Sequence, residues 1–146
     1  MNAVAIEAGL GIFENVGRVL GMRVRSEEDI LQATSRGLPV RAYNKADKIF
    51  GFPAGLIGSA TTIRRRQENN APLSRAESEA LVRVLRVFAE AAQLYGDDAK
   101  AIAWMKRPAK YLDGRPPVSP LVLSATDSGA RLMEAQITKT AYGMPG

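Results

Sequence analysis

The chain has 146 residues, room for one compact domain or two very small helical ones. Its hydrophobic content of 46% is that of a globular protein, and with only 6% aromatic residues its core rests on Leu, Ile, Val and Ala, which favours packed helices over a sheet. Cys and His are both absent, which excludes disulfides, thiolate nucleophiles, Cys/His zinc sites and imidazole acid–base catalysis, while the net charge of +5 favours nucleic acid, an anionic membrane surface or an acidic protein partner. The expectation is an all-α protein that binds rather than catalyses, with no cofactor and no metal. No stretch approaches the ~18 uncharged apolar residues of a membrane span. The first twenty residues carry Glu7, Glu14 and Arg18 without a basic leading region, so they do not read as a signal peptide, and the expected compartment is the cytoplasm.

In chain order, the Ala3 to Gly21 segment places Leu10, Phe13, Val16 or Gly17, and Leu20 on one side of a helix weakened by its glycines, one that needs a partner surface. Ser26 is a good cap for a helix from Glu27 to Arg36, with Glu27, Glu28 and Asp29 at its positive end and Gly37 as its stop. Pro39 can open the next helix, Val40 to Phe50, closed by Gly51. Pro53 begins a very short apolar turn, Ala54 to Ile57, ended by Gly58. Ser59 or Thr61 then caps a strongly basic helix, Thr62-Ile63-Arg64-Arg65-Arg66-Gln67, which Asn69, Asn70 and Pro72 end.

Ser74 and Glu77 match a capping box that opens the best-defined helix. Leu81, Val84, Leu85, Phe88, Ala92 and Tyr95 form one apolar stripe on it, with Arg83, Arg86, Glu90 and Gln93 off the stripe. Gly96 supplies the stop and the best boundary. Asp97 or Asp98 caps a shorter helix through Ile102, Ala103 and Trp104, broken by Pro108, with Trp104 as its large anchor. A turn-rich stretch follows, in which Leu121 to Leu123 has the composition of a short strand. A last helix starts at Thr126 or Asp127, carries Leu132, Met133, Ile137 and Ala141, and ends at Gly143.

The span from Val40 to Gln67 reads as helix, short helix, three-residue turn, basic helix, the layout of a helix-turn-helix whose second helix enters the major groove. The candidate DNA contacts are Ser59, Thr61, Thr62, Arg64, Arg65, Arg66 and Gln67, since an arginine fork grips guanine or phosphate bidentately and hydroxyls or amides add further hydrogen bonds. Three adjacent arginines cannot all face one groove, because neighbours on a helix differ by about 100°. The bland alternative is that the triplet merely solvates an exposed face. Carboxylates such as Glu27, Asp47 and Asp127 have capping or surface roles, and nothing pairs them for catalysis.

The C-terminal third carries an ordered set of motifs: Trp104-Met105-Lys106-Arg107-Pro108, Leu112-Asp113-Gly114-Arg115-Pro116-Pro117, Thr126-Asp127-Ser128-Gly129 and Tyr142-Gly143-Met144-Pro145. This set resembles the toxin-binding domain of Xre/ParS/MbcA-type antitoxins. Upstream, Gly37-Leu38-Pro39 and Thr62-Ile63-Arg64-Arg65 are similar to that family's Xre-like DNA-binding part, so the resemblance covers roughly Ser26 to Gly146. The stretch from Gly114 to Gly129 is a few residues longer than the family pattern, so either Pro117 or Pro120 matches its proline.

The resemblance implies an N-terminal helical segment at 1–25, a helix-turn-helix DNA-binding and dimerisation domain at 26–96 and a small helical toxin-binding domain at 97–146. It implies a RES-domain toxin that depletes NAD as partner, operator DNA as a second partner, and a homodimer within a larger complex that represses its own operon, with no membrane involved. The toxin-facing residues it points to are Lys106, Arg107, Arg115, Tyr142, Gly143, Met144, Pro145 and Gly146, the last offering a carboxylate to a pocket built for phosphates. Lys100 and Lys110 widen the basic band around the turn. The competing expectation is a stand-alone helix-turn-helix regulator whose C-terminal region binds a protein or a small ligand.

Overall fold

The computed structural model describes residues 8–143, with the side chains of 8–10 left aside. The predicted helix residues before Ala8, the side chain of Leu10, and Met144, Pro145 and Gly146 lie outside the described part. Within it the chain is all-α, as expected. In order come α1 (Ala8–Leu20), α2 (Glu27–Arg36), α3 (Val40–Phe50), α4 (Ala60–Asn69), α5 (Arg75–Tyr95), α6 (Asp98–Lys106), α7 (Pro120–Leu123) and α8 (Asp127–Ala141). The one β feature among the described residues is an isolated antiparallel bridge between Ala109 and Val118, closed by N–H···O bonds of 3.1 and 2.9 Å. Among the described residues no helix is long and apolar enough to cross a membrane.

Helix starts follow the local chemistry of their caps. Ser26, Ser59, Ser74 and Thr126 each accept a hydrogen bond from the third helical N–H, and Asp97 accepts from Ala99 and Lys100. Ser74 and Glu77 form the full capping box, the Glu77 carboxylate accepting from the Ser74 N–H at 2.8 Å. Gly37 ends α2 at φ +89°, a conformation that side chains resist, and a Cβ there would collide with the Leu73 carbonyl. The adjoining backbone is locked from the far side of the fold: Leu38 N–H donates to the buried Ser78 hydroxyl at 2.9 Å, and Leu73 N–H donates to the Leu38 carbonyl at 2.8 Å.

α5 is the hub. It packs against α1, α2, α6 and α8, while α3 bridges α1, α4 and α6. The predicted stripe of Leu81, Val84, Leu85, Phe88 and Ala92 is buried, but so are Ala80, Val82, Val87, Ala89 and Ala91, so the apolar face is far wider than one stripe and polar groups keep only the side of Glu79, Arg83, Arg86, Glu90 and Gln93. One stripe was expected. The alanines and valines off it are covered because four other helices close around α5, and their small side chains allow a near approach. Phe88 meets Phe50 of α3 edge-on with ring centroids 5.2 Å apart, both rings buried. Each such side chain contributes about 1.5–3 kcal/mol by leaving water. α1 finds in α5 the partner surface its glycine-weakened sequence needs, with Val16, Val19 and Leu20 buried.

Several local expectations change. The Ala54 to Ile57 piece forms no short helix; it is part of a turn with Gly55 at φ +86° and one Leu56 N–H bond to the Pro53 carbonyl. Four residues between Pro53 and Gly58, one of them Gly55 itself, cannot sustain a helical nucleus without support. Leu121 to Leu123 is helical, not a strand, because Ser119 caps it and Pro120 takes the first position, where no N–H is needed. Tyr95 ends the α5 stripe 39% exposed, beyond the elements that cover the rest of it. In α6 the buried positions are Ala101 and Met105, and Trp104 is half-buried against the core. In α8 the buried stripe is Gly129, Ala130, Met133 and Ile137, with Leu132 and Ala141 turned outward.

Candidate functional site

α3 and α4 are consecutive helices joined by the turn over 51–59. Ile63 is the one buried side chain of α4, and its opposite face carries Thr61, Arg64, Arg65 and Glu68, all exposed. Those positions recur at the spacing of one helical face. The remaining predicted contacts are engaged inside the chain. Ser59 accepts from the Thr62 N–H at 3.2 Å and donates its hydroxyl to Thr62 Oγ1 at 2.8 Å. Gln67 donates to Asn44 Oδ1 of α3 at 2.8 Å. Arg66 turns toward α5 and places Nε 2.7 Å and Nη2 3.2 Å from the Glu77 carboxylate.

α3 carries a further set of cations. Arg41, Lys45 and Lys48 are exposed on the outer side of α3, opposite the buried Ala42, Tyr43, Ala46 and Phe50, and none is ion-paired among the described residues. Sequence reasoning missed them. Their i, i+4, i+7 spacing was the signal, overlooked because the arginine triplet drew attention to α4 alone. These cations and the exposed Arg64 and Arg65 sit on two consecutive helices joined by the Gln67–Asn44 hydrogen bond, and exposed cations of this kind are suited to a polyanion.

The second region begins at α6. Lys106 and Arg107 lie at its end, and the Ala109–Val118 bridge folds the following loop back so that Lys110 and Arg115 are also exposed on the same hairpin-like turn. None of these, nor Lys100, is ion-paired among the described residues. Burial raises the Tyr111 hydroxyl pKa, an effect that the neighbouring Trp104 side chain partly opposes. Tyr142 stands 79% exposed just past α8, and Gly143 follows at φ +70°. No described contact joins Tyr142 to the basic loop, and Met144, Pro145 and Gly146 lie outside the described residues.

Between α2, α5 and α8 runs an open groove of about 530 Å³, lined by Leu31, Val82, Arg83, Arg86 and Glu134 among others. Glu27 grips Arg86 with both carboxylate oxygens, which lowers the Glu27 pKa and raises that of Arg86. Beside this pair Glu90 is half-buried; burial first, and the neighbouring Glu134 second, push its carboxyl up to about 7. Among the described residues no cluster of acidic groups is arranged to hold a metal ion.

Residues 90–143 match the sequence model of a family described as the antitoxin Xre/MbcA/ParS C-terminal toxin-binding domain. The chain is similar to the Antitoxin Xre of Yersinia enterocolitica, 39% identical over 119 residues that cover 77% of this chain and 78% of that protein. It is also similar to the Antitoxin Xre of Photorhabdus laumondii, 31% identical over 133 residues, 87% of this chain and 88% of that one. A match to the Antitoxin Xre of Pseudomonas putida, 28% identical over 82 residues, spans half of that protein's length. With the toxin-binding domain matched through α8 and two relatives covered over most of their length, the chain belongs to the Xre/MbcA/ParS family of antitoxins, non-enzymatic members of toxin–antitoxin systems.

Proposed function

We propose that this antitoxin neutralises a RES-domain, NAD-depleting toxin by covering its active site, and that it represses its own operon by binding DNA as a homodimer. The observation that carries the first half is the end of α8: within the matched toxin-binding domain, Tyr142 projects almost fully into solvent, ready for a cavity on another protein. Inhibition is then steric exclusion of substrate, with no reaction performed by this chain. Lys106 at the end of α6 with Arg107 and Arg115 after it, not ion-paired among the described residues, supply the complementary charge for acidic groups around the toxin's cleft. In this division of labour residues 26–96 serve DNA and 97–146 serve the toxin, preceded by the segment 1–25.

The second half is supported by the open cations of α3 and α4. A dimer that presents two copies of α4 to successive major grooves needs half-sites about one DNA turn apart. Thr61, Arg64 and Arg65 are the groups free to reach it, with Arg41, Lys45 and Lys48 toward the flanking phosphates. A stand-alone regulator with a ligand-binding C-terminal region accounts less well for a match to a toxin-binding domain.

The deciding experiment is co-expression with the RES-type product of a neighbouring gene, following cellular NAD. The full chain preserves NAD, and a chain lacking residues 142–146 loses that protection while still folding. Full protection by the shortened chain ends the plugging mechanism.

A further inference from the structure

α4 is the most polar of the long helices and buries a single side chain, Ile63, so burial by itself leaves its rotation about its own axis poorly fixed. Arg64 and Arg66 lie about 200° apart around a helix, so they cannot enter one groove together. In the structure Arg66 is three-quarters buried and meets the Glu77 carboxylate with its planar fork. Glu77 is itself held by the Ser74 N–H as the third residue of the α5 capping box. Gly58 of the preceding turn lies against the pair: a Cβ there would sit 3.1 Å from Glu77 Oε2 and 3.2 Å from Ile63 Cδ1. Turn, α4 and the start of α5 therefore meet at one ion pair.

We infer that Arg66 is a positioning residue and not a DNA contact: its pair with Glu77 sets the rotation of α4 so that Thr61, Arg64 and Arg65 face outward. The inference rests on the DNA-binding reading proposed above. Arginine suits the task because its two parallel donors fix an angle as well as a distance, which a lysine ammonium cannot. Glu77 suits it because its backbone is already anchored by the cap. Burial opposes its charge, but the Arg66 and Ser74 donors outweigh that and keep the carboxyl below its ordinary range. The Gln67–Asn44 hydrogen bond adds a second, weaker brace to α3.

The test is a double-mutant cycle in the full chain, with Glu77→Gln, Arg66→Gln and both together, read by fluorescence anisotropy on the chain's own promoter DNA. Glutamine is accepted at this position of a capping box, so Glu77→Gln removes the pair, keeps the cap and deletes no surface cation. The expected result is about a fivefold loss of DNA affinity for Glu77→Gln, with no further loss when Arg66→Gln is added. If Arg66 contacts phosphate, the signs differ: freeing it by Glu77→Gln leaves affinity unchanged or raised, and Arg66→Gln still weakens binding in that background. Either result overturns the inference. Amide hydrogen exchange on the same proteins without DNA supplies an independent readout. Glu77→Gln speeds exchange over residues 60–69 and spares 79–95, whereas unchanged protection of 60–69 overturns the inference with no reference to DNA. Failure of the native chain to bind the promoter, with exchange responding as expected, instead removes the DNA-binding reading and retains the pair as the device that orients α4.

Discussion

α4 and α8 both reach α5, the first through Arg66 and Glu77 and the second through an extended packing seam, yet they are held by different forces. α8 buries Gly129, Ala130, Met133 and Ile137 and lies so close to α7 that a Cβ at Gly129 would overlap the Leu123 carbonyl. Its approach is reinforced where Arg83 Nε donates to the Ala125 carbonyl at 3.0 Å. α4 buries Ile63 alone and depends on Arg66–Glu77 and Gln67–Asn44 for its orientation. Apolar seams are sensitive to lost volume and polar seams to lost partners, so the two helices should fail under different substitutions.

The sharpest contrast comes from Met133→Ala. Met133 is fully buried, and its removal should cost about 2–5 kcal/mol, read as a lower urea midpoint, with toxin association falling more than DNA affinity. An equal loss of both activities would show that α4 and α8 are not mechanically separate.

Next in size is a pH effect confined to the α8 side. The Glu90 carboxyl, ordinarily at 4.5, is raised to about 7, so the folded chain holds a proton across that window that the unfolded chain has released. Its contribution is therefore most favourable below the lower value and is lost as pH rises through the upper one. Glu90→Gln should flatten that fall and, after solvent screening of a half-exposed group, leave the protein about 1 kcal/mol more stable than native at about pH 8. Urea unfolding at about pH 5 and about pH 8 checks it. Glu27 and Glu77, both lowered by their arginines and donors, act with the opposite sign: their stabilisation is present above the ordinary carboxylate range and lost as pH falls through their depressed values.

The helix starts offer a matched pair of smaller changes. Ser59→Ala and Thr126→Ala each remove a cap bond, to Thr62 N–H and Gly129 N–H, at a cost of about 1 kcal/mol. Greater exchange loss in α4 than in α8 is expected, because α8 retains its apolar anchors. Smallest for stability is Arg65→Ala, an exposed position with an expected change within about 0.5 kcal/mol. Its mark should appear instead in DNA binding, where the salt slope decreases by about one. An unchanged slope would remove Arg65 from the phosphate contacts.

Much of this could be read before any fold was known. Ser26, Ser59, Ser74, Asp97 and Thr126 act on N–H groups two or three residues away, and Gly37, Gly51 and Gly96 end helices through their own backbone freedom. Such interactions are complete within a few residues, so their pattern is visible in the chain. The absence of Cys and His and the run from Trp104 to Gly143 were equally plain. The strand-like Leu121 to Leu123 was ambiguous because composition favoured one form while the Ser119-Pro120 cap enforced the other.

What only the tertiary structure decided was which way each helix faces. That Arg66 turns inward depends on Glu77 of α5; that α5 is buried well beyond its predicted stripe depends on α1, α2, α6 and α8; that Glu90 shares a buried seam depends on Glu134 of α8. An isolated helix has the same hydrogen bonds at every rotation about its axis. Its orientation is set by side-chain partners that arrive from distant parts of the chain, and no local pattern records them.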